Sequence, residues 1–177
     1  VLIMFTSYFK LNNSYVAKIR STFPQANIID VMKKDVTADM LKIAEVIFGW
    51  PKREQLKIAN NLKWLQLPTA GAKKFVDQSI YQNENVVVTN ASGVFGLPIA
   101  EHVMSMMLAF NRNLHTFIRY QQQKKWKKIK TTKDFWNSTV GVLGLGDIGT
   151  EVAKRSHVLG AKVLAVKRTI NKKPDYI

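Results

Sequence analysis

The sequence contains no cysteine, and this absence narrows the possible chemistry at once. Without thiols the chain can form neither disulfide bonds nor thiolate metal sites, and it has no cysteine nucleophile, so a reducing cytoplasm is compatible with the composition. No apolar run reaches the roughly 20 residues that a membrane-spanning helix needs. The apolar start, residues 1–5, is too short for a signal peptide and has no basic region. We therefore expect a soluble protein in the cytoplasm.

Acidic residues are scarce relative to basic ones. The 177 residues include 27 Lys and Arg but only 12 Asp and Glu, which gives a formal net charge of +15. Part of the excess lies in one stretch, where Tyr120 and Trp126 are interleaved with cations: Arg119, Lys124, Lys125, Lys127, Lys128, Lys130 and Lys133. This stretch could bind phosphate groups, or it could be the solvated end of a helix with the loop after it. We favour the second interpretation, and expect no nucleic-acid partner, because no helix-turn-helix, zinc or RNA-binding signature accompanies the charge.

The most informative feature that is present is a glycine-rich turn between two short apolar runs. Three glycines follow the first run, 140–143, with the spacing Gly-x-Gly-x-x-Gly: Gly144, Gly146 and Gly149. A helical pattern then continues to Gly160, and the second apolar run, 162–166, follows it. This order predicts strand, turn, helix and strand, the βαβ unit in which a dinucleotide pyrophosphate lies on a helix N-terminus.

Each glycine has a physical task in that unit. Gly144 allows the tight turn, Gly146 lets the phosphates approach a backbone without a Cβ, and Gly149 lets the helix pack against the strand. Asp147 and Ile148 lie inside the turn, and we count them among the cofactor-binding residues. A glycine-rich loop without a ligand is the alternative. The change of period from strand to helix and back favours the dinucleotide site.

Short β-type runs alternate with helical patterns in the first half of the chain. Five runs predict strands: 1–5, 27–31, 45–48, 63–67 and 86–89. Between them we predict helices with Ser14 and Thr37 at their starts and one that Pro51 opens over 52–60. On the first helix we expect Val16, Ile19 and Phe23 to face inward, and on the helix over 52–60 we expect Leu56 and Ala59 to do so. Strands alternating with helices predict a doubly wound, flavodoxin-like α/β domain.

From Pro98 the pattern predicts one long amphipathic helix. Its apolar residues recur at helical spacing: Ile99, Val103, Met106, Met107, Phe110, Leu114 and Phe117. The 39 residues after position 138 hold about one βαβ unit, whereas a dinucleotide-binding domain has about six strands. We therefore expect the chain to end inside its second domain, as a fragment or a truncated product.

Three sequence blocks stand in a fixed order along the chain: LPTAGAKKFVD at 67–77, NASGVFGLPIAEHV at 90–103 and TVGVLGLGDIG at 139–149. Together they resemble the D-isomer-specific 2-hydroxyacid dehydrogenases, the family of D-lactate, glycerate/hydroxypyruvate, phosphoglycerate and formate dehydrogenases. The resemblance covers essentially all 177 residues but only the N-terminal half of the family's usual length. It implies hydride transfer between NAD(P)H and a small 2-keto or D-2-hydroxy acid, and a homodimer.

The resemblance also implies roles for particular residues. Ala70, Gly71 and Ala72 match the loop whose backbone amides hold the substrate carboxylate, and glycine permits the close approach of an anion to the main chain. Lys73 departs from the family, in which many members have Asp at this position. The position of Val103 lies near the nicotinamide in the family.

The family's catalytic groups are not found in this chain. Its general acid/base His, the paired Glu and the substrate-binding Arg follow the glycine motif at a distance that the chain does not reach. We therefore name no catalytic residue, expect no metal, and expect the 177-residue chain alone to be inactive. His102, His115 and His157 are expected to be structural or surface residues.

The end of the second strand of the dinucleotide unit bears on the choice of cofactor. Relatives that prefer NAD place an acid there, where it accepts hydrogen bonds from the ribose. Here the chain has Lys167, Arg168 and Thr169. Two cations without a carboxylate favour NADP over NAD, and the alternative is that both are solvated cations at a strand end.

The resemblance divides the chain into three parts. We predict a flavodoxin-like substrate domain over 1–97, a linking helix with a basic dimerisation segment over 98–138, and a partial Rossmann domain over 139–177. Two other interpretations stay open at this point. The chain could belong to a non-enzymatic, dinucleotide-sensing protein like the corepressors on this fold, or it could be an inactive remnant.

Overall fold

A computed structural model describes residues 2–7, 11–169 and 174–177, with side chains at 2 and 7 excepted. The described chain forms two compact units, Val1–Ser92 and Gly93–Ile177. Val1, where the first predicted strand begins, lies outside the described residues. No helix in the described ranges is long and apolar enough to cross a membrane.

The first unit alternates strands and helices. Its elements are β1 (Leu2–Ser7), α1 (Asn13–Thr22), β2 (Asn27–Met32), α2 (Ala38–Ile43), β3 (Val46–Gly49), α3 (Arg53–Leu56), β4 (Trp64–Gln66) and β5 (Val87–Thr89). Short 3-10 helices cover Lys33–Asp35, Lys73–Phe75 and Gln78–Ile80. The five predicted strands are therefore all present, with ends shifted by one or two residues.

All five strands run parallel, in the order β2-β1-β3-β4-β5. This is the strand order of flavodoxin-like folds, so the doubly wound fold class that the alternation of strands and helices predicts is confirmed. In such a sheet all carboxyl ends lie at one edge, where ligands of open α/β sheets bind. The segments after the strands therefore position any site in this unit.

The core of the first unit follows from the pairing of strands. Met4 lies opposite Ile47, and Ile47 lies opposite Leu65, and all three side chains are fully buried. Leu41 of α2 and Leu56 of α3 pack in the same cluster. Burying one such side chain stabilises the folded state by about 1.5 to 3 kcal/mol, so this cluster holds the short strands together.

Two predictions about α1 are wrong. The helix begins one residue before Ser14, because Asn12 is the N-cap and its side chain accepts a hydrogen bond from the Ser14 amide at 3.0 Å. Phe23 does not face inward: it follows the last helical residue and its side chain is 61% exposed. The next residue is Pro24, and a residue before proline is disfavoured in the α region, so the helix ends before the third apolar position.

The helix that Pro51 was predicted to open over 52–60 is shorter. Only Arg53–Leu56 is α-helical, and the chain then tightens into turns, with the Ile58 amide donating to the Gln55 carbonyl at 3.3 Å. The two predicted inward positions, Leu56 and Ala59, are nevertheless buried. The apolar spacing therefore predicted burial correctly but overestimated the length of the helix.

The second unit contains three helices and two strands in its described part. They are α4 (Gly96–Asn111), α5 (Leu114–Gln122), β6 (Thr139–Leu143), α6 (Asp147–Val158) and β7 (Lys162–Val166). β6 and β7 are parallel, with Val140 opposite Val163, and α6 connects them as the glycine motif predicts. The core of this unit contains Ala100, Met104, Phe135, Val140, Val152 and Ala161.

The prediction of one long helix from Pro98 is wrong. The helix breaks at Asn113, which adopts the left-handed conformation with φ 53°, and α5 starts after it. Asparagine tolerates this conformation better than most residues. Its side-chain amide donates to the Thr131 carbonyl at 2.6 Å, and Arg112 pairs with Asp134 at 2.6 Å. Contacts with Thr131 and Asp134 therefore stabilise the break between α4 and α5.

Candidate functional site

The glycine motif of the second unit forms a tight turn between β6 and α6. Gly144 has φ +96°, which side-chain-bearing residues rarely adopt, and its amide donates to the Val166 carbonyl at 2.8 Å. A Cβ at Gly149 would lie 2.0 Å from the Gly144 carbonyl oxygen and 3.1 Å from Cγ1 of Val142. Both glycines are therefore required by geometry, one for the turn and one for the contact between helix and strand.

The start of α6 exposes unpaired backbone amides. The first intrahelical bond runs from the Thr150 amide to the Gly146 carbonyl at 2.9 Å. The amides of Asp147, Ile148 and Gly149 precede it, and within the described residues they donate no hydrogen bond. A Cβ built on Gly146 meets nothing within 4 Å. This combination of open space, free amides and the positive end of the helix dipole can bind an anion.

Two cations lie beside this turn. A depression of about 540 Å³ is lined by Leu143, Gly144, Leu145, Gly146, Val166, Lys167 and Arg168. Lys167 and Arg168 are exposed and form no ion pair within the described residues. The structure thus brings both predicted cations to the turn over residues 144–149. This turn could bind phosphate and is called the phosphate turn below. Thr169 is exposed but does not line the depression, and residues 170–173 lie outside the described ranges.

Two other cations, Lys154 and Arg155 of α6, already form ion pairs. Glu151 accepts hydrogen bonds from Lys154 and Arg155, and these bonds hold the pKa of Glu151 below its ordinary value. The same contact with Glu151 raises the pKa of Lys154. Lys154 and Arg155 are therefore engaged with Glu151 within α6. Lys167 and Arg168 form no ion pair among the described residues and line the depression beside the turn.

The remaining residues predicted for the cofactor site lie around or away from the turn. Ile148 is 39% exposed at the start of α6. The Asp147 carboxylate lies against Gly96, the first residue of α4, and makes no hydrogen bond within the described part of the chain. Val103 is half-buried in α4, where it packs against the core of the second unit and does not line the depression. The structure therefore groups the turn with Lys167 and Arg168 but not with Val103.

The predicted substrate loop lies in the first unit, after β4. The amides of Ala70, Gly71 and Ala72 donate no hydrogen bond among the described residues. A Cβ on Gly71 would meet nothing within 4 Å, so the backbone is open to a ligand. The side-chain amide of Asn90 donates to the Ala70 carbonyl at 2.7 Å and fixes the loop. A fixed loop with free amides can receive a small carboxylate.

Trp50 is a candidate that the sequence analysis missed. It follows β3 directly, and its indole Nε1 donates to Oγ1 of Thr69 at 3.2 Å, immediately before the loop. Asn90, which follows β5, contacts the same loop from the other side. Their positions in the sequence could have indicated both residues. Each follows a strand of one parallel sheet, and residues at such positions meet where the carboxyl ends of the strands lie.

The three histidines differ in their surroundings. His102 and His157 are exposed, and the His115 ring lies 5.1 Å from the Phe110 ring with its Nδ1 atom buried. Within the described residues no group of three or more His, Asp or Glu side chains could hold a metal ion. The role of these histidines as structural or surface residues remains a prediction.

Comparison with known proteins identifies the relatives of the chain. A family model, the NAD binding domain of D-isomer specific 2-hydroxyacid dehydrogenase, matches residues 104–176. The chain is 30% identical over 134 residues to a putative 2-hydroxyacid dehydrogenase of Haemophilus influenzae. The aligned region covers 72% of this chain and 41% of the relative. It is 33% identical over 120 residues to D-3-phosphoglycerate dehydrogenase of Archaeoglobus fulgidus, covering 67% of this chain and 23% of the relative.

The chain is also similar to a solved structure of the same family. A D-isomer specific 2-hydroxyacid dehydrogenase family protein from Aeromonas salmonicida subsp. salmonicida superimposes with a TM-score of 0.81 at 25% identity. The superposition covers 97% of this chain and 55% of that structure. The chain thus spans less than half the length of the two curated relatives and about half that of the solved structure.

Proposed function

Because this chain belongs to the D-isomer-specific 2-hydroxyacid dehydrogenase family, we propose that it forms part of an oxidoreductase acting on a small 2-keto or D-2-hydroxy acid. The observation that supports this most strongly is the phosphate turn. Among the described residues, its amides at the start of α6 have no acceptor, and they lie beside cations with no ion pair. A nicotinamide dinucleotide, when bound, supplies the hydride acceptor or donor. The chain's own residues bind and orient the two reactants.

The residues of the turn fit a dinucleotide. The amides of Asp147, Ile148 and Gly149 are placed to bind the pyrophosphate, and Gly144 and Gly146 let it approach the backbone. Arg168 and Lys167 fit the additional 2'-phosphate of NADP, with Thr169 as a further hydrogen-bond donor, so we propose NADP as the preferred cofactor. Val103 is proposed to approach the nicotinamide, as its position does in the family.

The loop after β4 is proposed to bind the substrate. Free amides at Ala70, Gly71 and Ala72 match the carboxylate that every 2-keto and 2-hydroxy acid carries. Trp50 fixes the loop through Thr69, which precedes it, and Asn90 fixes it through Ala70, its first residue. No residue of this chain is proposed as the acid or base of the reaction, so its part is to position the reactants.

We propose that the division of the chain follows these tasks. Residues 1–97 form the substrate domain, 98–138 the linking helix and a basic dimerisation segment, and 139–177 part of the dinucleotide domain. The structure supports the first part with its complete five-stranded sheet and the third with the β6-α6-β7 unit. The cysteine-free composition is compatible with the cytoplasmic location that we propose.

Cofactor binding is the direct test of this function. We expect the chain to bind NADPH saturably, measured by the fluorescence of the reduced nicotinamide or by isothermal titration calorimetry. Addition of glyoxylate, pyruvate or hydroxypyruvate should change the signal of the bound cofactor. A chain that is folded by circular dichroism but shows no saturable binding of either NADPH or NADH would contradict the proposal.

We also propose a homodimer packed through residues 98–136. Large apolar side chains are exposed there on the single chain: Phe110 is 67%, Leu114 50%, Trp126 97% and Trp136 71% exposed. Phe135 differs, because it is buried in the core of its own unit. A surface with so many exposed apolar side chains is typical of an interface.

Charge on this surface should dissociate the dimer. We expect the unsubstituted chain to sediment as a dimer at micromolar concentration. The double variant Phe110→Asp, Trp126→Ala should sediment as a monomer, because an unpaired carboxylate buried in the interface is strongly unfavourable. Tyr15→Asp, at an exposed aromatic of α1 in the first unit, is the matched control and should stay dimeric. A monomeric starting protein would count against the proposal.

A further inference from the structure

The start of α4 and the start of α6 meet at one glycine. A Cβ built on Gly96 would lie 2.5 Å from Oδ1, 2.9 Å from Cγ and 3.0 Å from Oδ2 of Asp147. The whole carboxylate therefore occupies the space that any side chain at position 96 would need. Gly96 itself is buried, and the first turn of α4 contains no acidic residue of its own.

The location of this carboxylate matters because of where Asp147 stands in the chain. It is the first residue of α6, and its own amide is one of the three free amides of the phosphate turn. A carboxylate that turned toward these amides would occupy the position of an anionic ligand and would repel it. Against Gly96 the charge lies instead at the N-terminus of α4, where the helix dipole favours an anion.

We propose that Gly96 is a positioning residue for pyrophosphate binding: by lacking a side chain it makes room for the Asp147 carboxylate and keeps that charge away from the phosphate turn. The inference rests on the dinucleotide function proposed above and assigns a role to a residue outside the glycine motif. A side chain at position 96 would move the flexible carboxylate rather than the backbone, so the expected damage is to phosphate binding and not to the fold.

ADP and adenosine separate the phosphate contribution from the rest of the nucleotide. In calorimetric titrations of the 177-residue chain, Gly96→Ala should weaken ADP binding by about 5- to 20-fold, the size of one displaced charge at partly screened distances, and should leave adenosine within about 2-fold. The matched control is Gly141→Ala in β6, where a Cβ meets nothing within 4 Å. This control should leave both affinities unchanged.

Two variants at Asp147 test the cause. Gly96→Ala combined with Asp147→Asn keeps the crowding but removes the charge, and it should restore ADP affinity to within about 3-fold of the starting chain. Asp147→Asn alone keeps the backbone amide through which residue 147 is proposed to bind phosphate. It should change ADP affinity by less than about 3-fold, because the carboxylate charge is already held away. This single variant keeps the side-chain shape and does not depend on how Gly96→Ala folds.

The outcomes distinguish this inference from the function on which it rests. Unchanged ADP affinity in Gly96→Ala, a loss that persists in the double variant, or a gain of about 10-fold in Asp147→Asn alone would each overturn the role of Gly96. A starting chain that binds no ADP would overturn the proposed dinucleotide function, and the inference with it. Weaker ADP binding that the double variant restores supports both.

Discussion

Replacing Gly149 with alanine is expected to weaken NADPH binding by about 100-fold or more, a loss of roughly 3 kcal/mol. The added Cβ would lie 2.0 Å from the Gly144 carbonyl oxygen, which is backbone and cannot rotate away as a side chain would. That carbonyl belongs to Gly144, which holds the tight turn at φ +96°, so the displacement falls on the turn itself. The phosphate amides of α6 would therefore be displaced from their positions.

The measurement is a fluorescence titration of NADPH with the variant, beside a thermal denaturation curve. Crowding of this kind costs about 1 to 3 kcal/mol of stability, so the variant should melt earlier but still be folded at 20 °C or below. Gly141→Ala is the control, since it adds the same methyl group to the preceding strand without a contact. Unchanged NADPH affinity in a folded Gly149→Ala chain would show that the turn does not bind the cofactor.

The contrast between Gly149 and Gly96 shows what a sequence pattern can predict. The spacing of Gly144, Gly146 and Gly149 predicts a turn because each glycine acts within a few residues of the others. Gly96 lies about 50 residues from Asp147, and only the packing of α4 on α6 brings the two together. No local pattern marks it, so its role becomes visible only from the coordinates.

The strands were predictable for a similar reason, while one long helix was not. Runs such as 45–48 and 86–89 are apolar on both faces, which a buried parallel strand requires in any fold. The apolar spacing from Ile99 to Phe117 fits a single helix equally well. At the break, the Asn113 side chain donates to the Thr131 carbonyl, a contact between segments that are distant in sequence. Helical spacing does not contain that information.

The candidate substrate loop was predicted from a family resemblance and not from its own chemistry. Nothing in the letters Ala70-Gly71-Ala72 shows that three successive amides have no acceptor among the described residues. The structure shows this, and it also shows why Trp50 and Asn90 belong to the same region, since each follows a strand of one parallel sheet and contacts the loop. Parallel topology brings such residues together irrespective of their separation in the chain.

The choice of cofactor should depend mainly on Arg168. Its guanidinium lies at the end of β7, lines the depression beside the phosphate turn and has no ion pair within the described residues. A bidentate, charge-assisted contact to the 2'-phosphate contributes roughly 1.5 to 3 kcal/mol, which corresponds to about 10- to 150-fold in affinity. The chain should therefore bind NADPH more tightly than NADH, and Arg168→Ala should remove most of that difference.

The test is a titration with each reduced cofactor at fixed ionic strength. Arg168→Lys should retain only part of the preference, because an ammonium group keeps the charge but not the planar pair of donors. Lys167→Ala should have a smaller effect that fades as salt is added, as expected for a point charge at an exposed position. Arg20→Ala, at an exposed arginine on α1 in the first unit, removes the same charge from the chain as a whole and should leave the preference unchanged. Equal affinities in the starting protein, or an unchanged ratio in Arg168→Ala, would mean that the two cations at the end of β7 face solvent and that neither selects the cofactor.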